Sequence, residues 1–529
     1  NPLNRLLTRL YHPLVDLVLR WRKTTLLVTL VLVLSSIYPL SHLGSEFMPP
    51  LDEGDLLYMP TTLPGLSTDK ARELLQQTDK IIAAFPEVDN VFGKAGRAET
   101  ATDPAPLSML ETTIQLKDPR YWRRISVERF YSDWPEVLQK PLRTLWPDQR
   151  PITRKELVTL LNQAIQFPGL TNAWTMPIRT RIDMLSTGIK TPVGIKVQGN
   201  DLETLNQVGQ QLEAVVGQLP NTLSVYAERV MGGRYVDIDI DRLAAARHGL
   251  TVGAVQDVIQ TAIGGMTVTR TVEGAERYPV NVRYARDYRS DLDALHQVRL
   301  AAPSGRSVPL KEVAQVSVKS GPAAIKSENA RKTLWVYVDL NTDDVGGYVQ
   351  QAQQAVAAQV QLPAGVSLVW SGQFEYMQQT RSRLLMIVPL TLVVIFILIY
   401  ASTRSTMKTA IVFMAMPFSL VGAFWCLYAL DYNLSAAAWV GLIALAGLDA
   451  ETGVIMMLYL SMAEDQWRDE GRLKNRHDLK LAIFDGAVKR IRPKVMTVGT
   501  VILGLAPIMW SHGTGSEIMK RIAAPMVAG

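Results

Sequence analysis

Long apolar runs and polar stretches divide the chain into membrane-spanning and water-exposed parts. Each of five apolar runs is about long enough to cross a hydrocarbon core of roughly 30 Å. These runs are residues 24–43, 384–400, 410–430, 434–460 and 495–510. A sixth run, at the end of the chain, begins at Ile522 and is too short to span. The pattern predicts a multi-pass membrane protein whose last span, 522–529, is truncated.

Basic residues set the predicted orientation. Arg20 and Lys23 precede the first span, and Arg404 and Lys408 lie between the second and the third. The segment 461–494, predicted as a loop between the fourth and fifth spans, is also rich in basic residues. Because successive spans alternate in direction, these three groups fall on one side, which the positive-inside rule identifies as the cytoplasm. Membrane topology accounts for the formal net charge of +6, and no nucleic-acid partner is expected.

The segment 1–23 has the pattern of a helix that lies on a membrane. Leu10, Leu14 and Leu17 supply apolar positions, while Arg9 and Arg20 supply basic ones. This composition suits an amphipathic helix on the cytoplasmic surface. The segment that follows is a full span without a small-residue cleavage pattern, so it is not a removable signal peptide.

The long segment 44–381 falls on the outer side and alternates between strand and helix patterns. Helices are predicted at 67–85, 201–219 and 345–359. Short strands are predicted around them, among them 192–199, 223–229, 332–340 and 366–372. Strand–helix–strand units of this length indicate several small split βαβ modules. The segment 120–165 is rich in Trp, Arg and Pro and is predicted to be an insertion of mainly helical character.

Signatures of enzymes are missing from the sequence. The single cysteine, Cys426, lies in a span, so the outer region has no disulfide bonds. The six histidines are scattered, with no pair at the spacing of metal ligands. No nucleophile elbow, phosphate-binding loop or zinc signature is present. We therefore expect neither an enzyme nor a bound cofactor.

Two carboxylates interrupt the fourth apolar run. Asp449 and Glu451 lie within "GLIALAGLDAETGVIMMLYL". A charged side chain near the centre of a bilayer costs several kcal/mol unless it faces a protein interior or a water-filled cavity, as in a proton relay. Residues two positions apart on an α-helix point ~200° apart, so these two cannot share a face.

Several stretches resemble the heavy-metal efflux branch of the resistance–nodulation–division (RND) family. They are "GSEFMPPLDEGDLLYMPTTLPG", "VFGKAGRAETATDPAPLSMLETTIQLK", "IRTRIDMLSTGIKTPVGIKV", "RIRPKVMTVGT" and "GSEIMKRIAAPM". The resemblance is strongest to the pumps for copper(I) and silver(I), and it covers essentially the whole chain as the C-terminal half of such a pump. It implies an α+β membrane protein, with a transmembrane helix bundle and a periplasmic region of split βαβ, ferredoxin-like modules.

The resemblance also implies a domain plan and partners. Residues 44–224 would form periplasmic pore subdomains with the metal site, 225–320 a docking subdomain, and 321–381 a return into the pore region. Residues 382–529 would form the transmembrane bundle. The whole pump is expected to be a homotrimer in the inner membrane of a Gram-negative bacterium. It would work with a periplasmic adaptor and an outer-membrane channel, driven by protons.

Three methionines match the metal site of the copper and silver pumps. They are Met59, Met109 and Met184. Thioethers are soft, neutral ligands that suit Cu(I) and Ag(I) better than Zn(II). Without the resemblance, these methionines would be regarded as core residues. Further positions match the metal pathway of the family: Glu53, Asp103, Glu111, Arg181, Lys190 and Met519.

The proton relay of the family falls on the interrupted span and the next one. Glu451 matches a relay glutamate, and Lys494 matches its lysine partner; the alternative is that Glu451 forms a structural ion pair. Burial raises the pKa of a carboxyl group and a nearby ammonium lowers it, so a proton can exchange near neutral pH. Asp449 replaces a residue that is usually small in the family. It is either a second relay member or an adapted or damaged site.

Three other interpretations remain open. A divalent-cation pump of the zinc and cobalt branch would share the fold. A multidrug exporter would require an apolar pocket lined by aromatic residues, yet aromatics make up 7% of the chain and are not clustered. The chain could also be a fragment without transport activity. Tighter binding of Zn(II) than of Ag(I) would favour the divalent branch.

Overall fold

A computed structural model describes residues 2–49, 51–96, 106–129, 131–145, 147–511 and 513–529. The helices in these residues are α1 (Pro2–Arg20), α2 (Arg22–Ser35), α3 (Ile37–His42), α4 (Thr68–Ala83), α5 (Glu136–Leu145), α6 (Arg154–Ala164), α7 (Pro177–Thr187), α8 (Leu202–Val216), α9 (Arg242–Arg247), α10 (Val252–Val258), α11 (Leu292–His296), α12 (Val345–Gln359), α13 (Gln373–Thr403), α14 (Thr406–Ala429), α15 (Ala436–Asp469), α16 (Arg476–Met509) and α17 (Ser516–Ala528).

The strands of the same residues are β1 (Leu56–Tyr58), β2 (Thr61–Thr62), β3 (Val88–Ala95), β4 (Leu110–Leu116), β5 (Arg124–Ser126), β6 (Gln149–Pro151), β7 (Leu170–Thr171), β8 (Trp174–Thr175), β9 (Val193–Gly199), β10 (Thr222–Ala227), β11 (Gly233–Ile240), β12 (Met266–Glu273), β13 (Glu276–Val282), β14 (Arg299–Ala301), β15 (Ser307–Pro309), β16 (Ala314–Gly321), β17 (Lys326–Glu328), β18 (Arg331–Leu340) and β19 (Ser367–Gly372). The chain divides into two compact units, of which the smaller comprises residues 63–65 and 229–326.

The first module of the larger unit is a split βαβ sheet. Its strands lie in the order β3-β4-β1-β8, and α4 and α6 fall between them along the chain. This is the antiparallel ferredoxin-like arrangement predicted from the sequence. Side chains such as Leu56, Ile114, Leu157 and Leu161 form its core and are at most 2% exposed.

The second module repeats this arrangement. Its main strands lie in the order β10-β18-β9-β19, with α8 and α12 as the two helices and β17 added beside β18. Val193, Ile195 and Val197 are fully buried on β9, and Leu334 and Val336 are fully buried on β18. A central strand buried along its length is apolar in sequence, which is why these strands were predicted within a residue or two.

The smaller unit has its own core. Strands β11 and β16 pair antiparallel over their full lengths, from Gly233 opposite Gly321 to Ile240 opposite Ala314. Helices α9, α10 and α11 surround buried side chains that include Val255 and Leu310. The hairpin β12–β13 differs from this core, because nearly all of its side chains are exposed.

The segment 120–165 differs from its prediction. It contains helices α5 and α6, as expected, but also the antiparallel strand pair β5–β6. Arg124 pairs with Pro151 and Ser126 with Gln149. Strands of three residues rich in Arg, Gln and Pro carry no apolar alternation, so they could not be predicted from the pattern.

Among the described residues, five helical segments are long and apolar enough to cross a membrane. They are Arg22–His42, Gln373–Thr403, Thr406–Ala429, Ala436–Asp469 and Arg476–Met509. Each overlaps one predicted run, and no run extends more than two residues beyond its segment. The segment 461–494 is not the loop that the basic composition suggested: α15 continues to Asp469, α16 begins at Arg476, and Asn475 and Asp478 form a capping box at the start of α16. Charged helix ends that leave the apolar layer explain this difference.

We predict that Gly188→Ala lowers the melting temperature of the purified protein. Gly188 ends α7 at φ 79°, and an added Cβ would overlap the indole of Trp335. A left-handed backbone costs a non-glycine residue roughly 1–2 kcal/mol before any clash. Gly253→Ala is the control, because its Cβ would approach no atom closer than 3.9 Å. Equal melting temperatures for both variants would contradict this account.

Candidate metal centre

Pairing of β1 with β4 brings two of the predicted methionines together. Tyr58, the last residue of β1, lies opposite Thr112 on β4. The register continues past both strands, so that Thr61 forms a bridge with Met109. Met59 lies between these points, and its N–H donates to the Ala173 carbonyl at 2.9 Å. The C-terminal end of β1 and the N-terminal end of β4 therefore lie side by side, at one end of these two central strands.

Helix α7 supplies the third methionine. Met184 packs against a small cluster that consists of Leu57, Met59 and Met109. Met59 and Met109 are 1% and 9% exposed, and Met184 is partly buried. Three thioethers on three separate segments thus belong to one cluster, an arrangement that can present several soft sulfur ligands to one ion.

Glu53 fixes the start of α7. Its carboxylate accepts hydrogen bonds from the N–H groups of Ile178 at 2.6 Å and Arg179 at 2.8 Å. A carboxylate at a helix N-terminus satisfies free N–H groups and complements the helix dipole. The structure thus places Glu53 at the first turn of the helix that carries Met184.

Glu111 and Arg181 form a charged pair beside the cluster. Glu111 accepts from the Arg181 guanidinium at 3.1 Å and lies 3.2 Å from the Lys94 ammonium. Glu111 is largely buried between these two cations, whereas Arg181 is about half exposed. The predicted pathway residues Glu111 and Arg181 are therefore direct neighbours.

Lys190 is buried rather than exposed to a solvent-filled cleft. Its ammonium donates to the backbone carbonyl of Met59 at 2.8 Å and to the Thr61 hydroxyl at 2.5 Å. The same ammonium lies 5.3 Å from the centre of the Tyr337 ring. Lys190 thus anchors the backbone that carries Met59.

Asp339 is a charged neighbour that the sequence did not reveal. It is 4% exposed, and burial raises its pKa to about 7, against the lowering effects of the Trp174 and Leu340 N–H groups and of Lys190. An aspartate inside the apolar strand "LWVYVDL" was the available signal, because a polar residue in a buried strand needs partners.

Two predicted pathway residues lie apart from this arrangement or outside the described part. Asp103 falls in the undescribed segment 97–105. Met519 lies in the first turn of α17, is 49% exposed, and is not a member of the cluster around Met59.

The predicted relay residues occupy α15 and α16. Asp449 is half-buried and interacts electrostatically with Lys494, whereas Glu451 is exposed on the surface of α15. Asp449 Oδ2 is buried and has no hydrogen-bond partner among the described residues. Asp449 and Glu451 differ in burial, in agreement with the helical geometry. The family resemblance pairs Lys494 with Glu451. In the structure, Lys494 interacts electrostatically with Asp449.

Comparison with known proteins gives the family. The profile of the AcrB/AcrD/AcrF family matches residues 1–529. The chain belongs to this family of RND transporters. The predicted resemblance to the heavy-metal branch and the predicted mixed α+β membrane fold are both confirmed.

Two similar curated proteins are named as cation efflux system proteins. The chain is 46% identical over 531 residues to the putative cation efflux system protein SilA of Salmonella typhimurium, and 45% identical to the cation efflux system protein CusA of Escherichia coli K12. Both alignments cover 100% of this chain and 48% of the relative. The cobalt-zinc-cadmium resistance protein CzcA of Cupriavidus metallidurans is 30% identical, over 98% of this chain and 46% of its own length. The chain thus spans about half the length of these relatives.

A solved structure has the same fold. It is a crystal structure of a heavy metal efflux pump, with a TM-score of 0.82 and 26% sequence identity. The match covers 99% of this chain and 49% of the other. The RND fold therefore extends over essentially all of the chain.

We predict that Lys190→Met weakens the binding of Ag(I), the ion expected from the sequence. The change leaves the buried Met59 carbonyl without its donor, which costs about 1–3 kcal/mol. Loss of such a supporting contact typically lowers metal affinity by roughly 10-fold or more. Competition binding on the purified protein measures the change.

Lys196→Met is the matched control. Lys196 is also a buried lysine beside an aromatic ring, but its ammonium pairs with Glu328 at 2.9 Å. We expect this variant to lose stability while retaining Ag(I) affinity. Equal losses of affinity in both variants would mean that Lys190 acts only through general stability.

Proposed function

We propose that the chain is part of a proton-driven exporter of Cu(I) and Ag(I). The observation that supports this most directly is the packing of Met184 against Met59 and Met109 in one cluster. The ligands are uncharged, so an ion is held by soft donation and retains its charge. Such a site suits an ion that must bind and then leave.

The choice of monovalent ions follows from the ligand type. Thioethers bind Zn(II) and Co(II) poorly, because these ions prefer nitrogen, oxygen or thiolate ligands. In the described residues, no group of three or more His, Cys, Asp or Glu side chains is placed to hold a metal ion. The relatives SilA and CusA are named for cation efflux, whereas CzcA is named for cobalt, zinc and cadmium at lower identity.

The working protein is proposed to be a homotrimer in the bacterial inner membrane. With its basic segments on the cytoplasmic side, the proposed pump has the two ferredoxin-like modules and the smaller unit on the periplasmic side, and the five candidate spans support this topology. The smaller unit, residues 229–326, is close in extent to the docking subdomain expected at 225–320. It is the proposed contact region for an adaptor and an outer-membrane channel.

Proton coupling is assigned to the carboxylates of α15 and to Lys494. Glu451 is the relay residue by its match to the family. Asp449 interacts electrostatically with Lys494, and one of its carboxylate oxygens is buried. Both observations favour Asp449 as a second member of the proton relay over a damaged site. Proton binding at either carboxylate changes the charge balance of the bundle and thereby biases one packing over another.

We predict that Met59→Leu, Met109→Leu and Met184→Leu each abolish most silver resistance in cells that depend on the full-length protein. Leucine conserves the volume, so packing should lose less than ~1.5 kcal/mol. Each change nevertheless removes one ligand. Met416→Leu, at a buried methionine within α14, is the control. Unchanged silver tolerance in all three variants would refute the assignment, and tighter binding of Zn(II) than of Ag(I) would favour the divalent branch.

We predict that Glu451→Gln and Lys494→Met stop transport driven by a pH gradient while Ag(I) binding at the methionines is retained. The amide fills the same space but neither gains nor loses a proton near neutral pH. Asp449→Ala should slow transport, because Lys494 loses its electrostatic interaction with the Asp449 carboxylate. Uptake into reconstituted vesicles at equal protein content measures all three.

Glu464→Gln is the control on the same helix, since its ion pair with Arg468 is exposed. Transport by Asp449→Ala at the parental rate would exclude Asp449 from the relay. Full transport by Glu451→Gln would exclude the proposed proton pathway.

A further inference from the structure

Six charged side chains connect the helix that carries Met184 to the end of the helix bundle. We call them the junction cluster. The cluster consists of Glu46, Glu53, Arg179, Asp183, Asp343 and Arg521. They come from five separate parts of the chain, and apart from Glu53 none has been given a role above.

The segment that carries Glu46 is clamped by its backbone. The Glu46 N–H donates to the Leu434 carbonyl at 3.2 Å, just before α15. On the other side, the Gly346 N–H of α12 donates to the Ser45 carbonyl at 3.0 Å, and the Ser45 N–H donates to Asp344 at 2.8 Å. The segment 45–47 is therefore held between the helix bundle and the second ferredoxin-like module.

Glu46 forms a buried ion pair with α17. Its Oε1 lies 2.9 Å from Arg521 Nε, and the two side chains are 2% and 9% exposed. The Arg521 guanidinium also lies 4.7 Å from the centre of the Tyr432 ring. These atoms face each other without hydrogen-bond alignment. Breaking one half of a buried pair leaves an uncompensated charge, so the state of Glu46 affects Arg521 directly.

Arg179 connects Glu46 to α7. The guanidinium interacts electrostatically with Asp183 on its own helix and with Glu46, Glu53 and Asp343 from other segments. Burial lowers the pKa of Arg179, and these carboxylates oppose that effect. The carboxylates thus supply the compensation that a half-buried guanidinium needs.

A second contact connects the same segment to the other end of α7. Phe47 stacks on Tyr376 of α13, with ring centroids 4.9 Å apart. The Tyr376 hydroxyl in turn hydrogen-bonds the Ser186 hydroxyl, near the end of α7. Both ends of the helix that carries Met184 are therefore held by partners of residues 45–47.

We propose that Arg179 is a positioning residue for Met184, and that the pairing of Glu46 with Arg521 controls, through Arg179, how firmly α7 is held against the methionine cluster. The junction cluster thereby couples the helix bundle to the methionine cluster. This inference rests on the proposed metal-binding function, but the positioning of α7 can be measured without metal.

The charge of Glu46 changes near neutral pH. Burial raises the pKa of Glu46 to about 7; Arg521, Asn433 and Arg179 lower it, and Asp343 adds to the rise. Because the folded pKa is raised, the stability contributed by neutral Glu46 is complete below its ordinary value of 4.5 and is lost as the pH rises through about 7. The charged contacts with Arg521 and Arg179 therefore exist above about 7 and disappear below it.

Two measurements test the proposal on the purified full-length protein. The first is hydrogen exchange of the α7 amides at pH 6 and pH 8, corrected for intrinsic exchange rates and carried out without metal. The second is Ag(I) affinity at the same two pH values. Thioethers do not titrate in this range, so a pH effect on affinity must come from other groups.

The parent protein should lose protection in α7 and bind Ag(I) at least about fivefold more weakly at pH 6 than at pH 8. Glu46→Gln should resemble the pH 6 state at both pH values. Arg179→Met should weaken binding about 10-fold at both, and Arg179→Lys should restore part of the loss and the pH effect. Glu87→Gln, at a buried pair with Arg123, should keep the parental profile.

Protection of α7 that is independent of pH in the parent protein would overturn the inference, whether or not Ag(I) binds. A pH effect that survives Glu46→Gln but disappears in Asp339→Asn would also overturn it. If the α7 effect is present but Ag(I) does not bind, the positioning by Arg179 stands and the proposed metal function fails.

Discussion

The antiparallel pairing of β1 with β4 determines where the candidate site lies. The register that places Tyr58 opposite Thr112 also places Met59 and Met109 at the same end of these two strands. A shift of one residue would turn every side chain of β1 to the other face. The register is held by buried apolar residues such as Leu56 and Ile114, and by the Lys190 ammonium on the Met59 carbonyl. The arrangement of Met59 and Met109 thus depends on ordinary sheet packing.

Much of the architecture could be predicted because the elements have strong local patterns. The helix predicted at 345–359 matches α12 residue for residue, and the strand predicted at 192–199 differs from β9 by one residue. The five spans were predictable from length and hydropathy alone. The strand pair β5–β6 could not be predicted, because its Arg-rich strands lack apolar alternation. The polar ends of α15 and α16 could not be predicted either, because polar helix turns lack the apolar signal of a span.

The site was predictable in composition but not in detail. The family resemblance pointed to Met59, Met109 and Met184, which the structure brings together, and to Lys190 and Glu53 as charges along a path. Only the three-dimensional arrangement shows that Lys190 holds a backbone carbonyl and that Glu53 caps a helix. Residues that act on the backbone of a distant segment leave no spacing in the sequence. The partners of Asp339 and Arg521 could not be predicted either, because the Trp174 N–H and the Glu46 carboxylate lie far from them in the sequence.

The segment 229–326 of the smaller unit is inserted in the chain between two paired strands of the second module. Strands β10 and β18 are antiparallel neighbours, with Ala227 opposite Val336, and the chain between them contains residues 229–326. The unit therefore occupies the place of a hairpin loop, where entry and exit lie side by side. Insertions at such sites disturb the host sheet little. The sequence between Ala227 and Val336 can therefore vary in length and composition without breaking the pairing of β10 with β18.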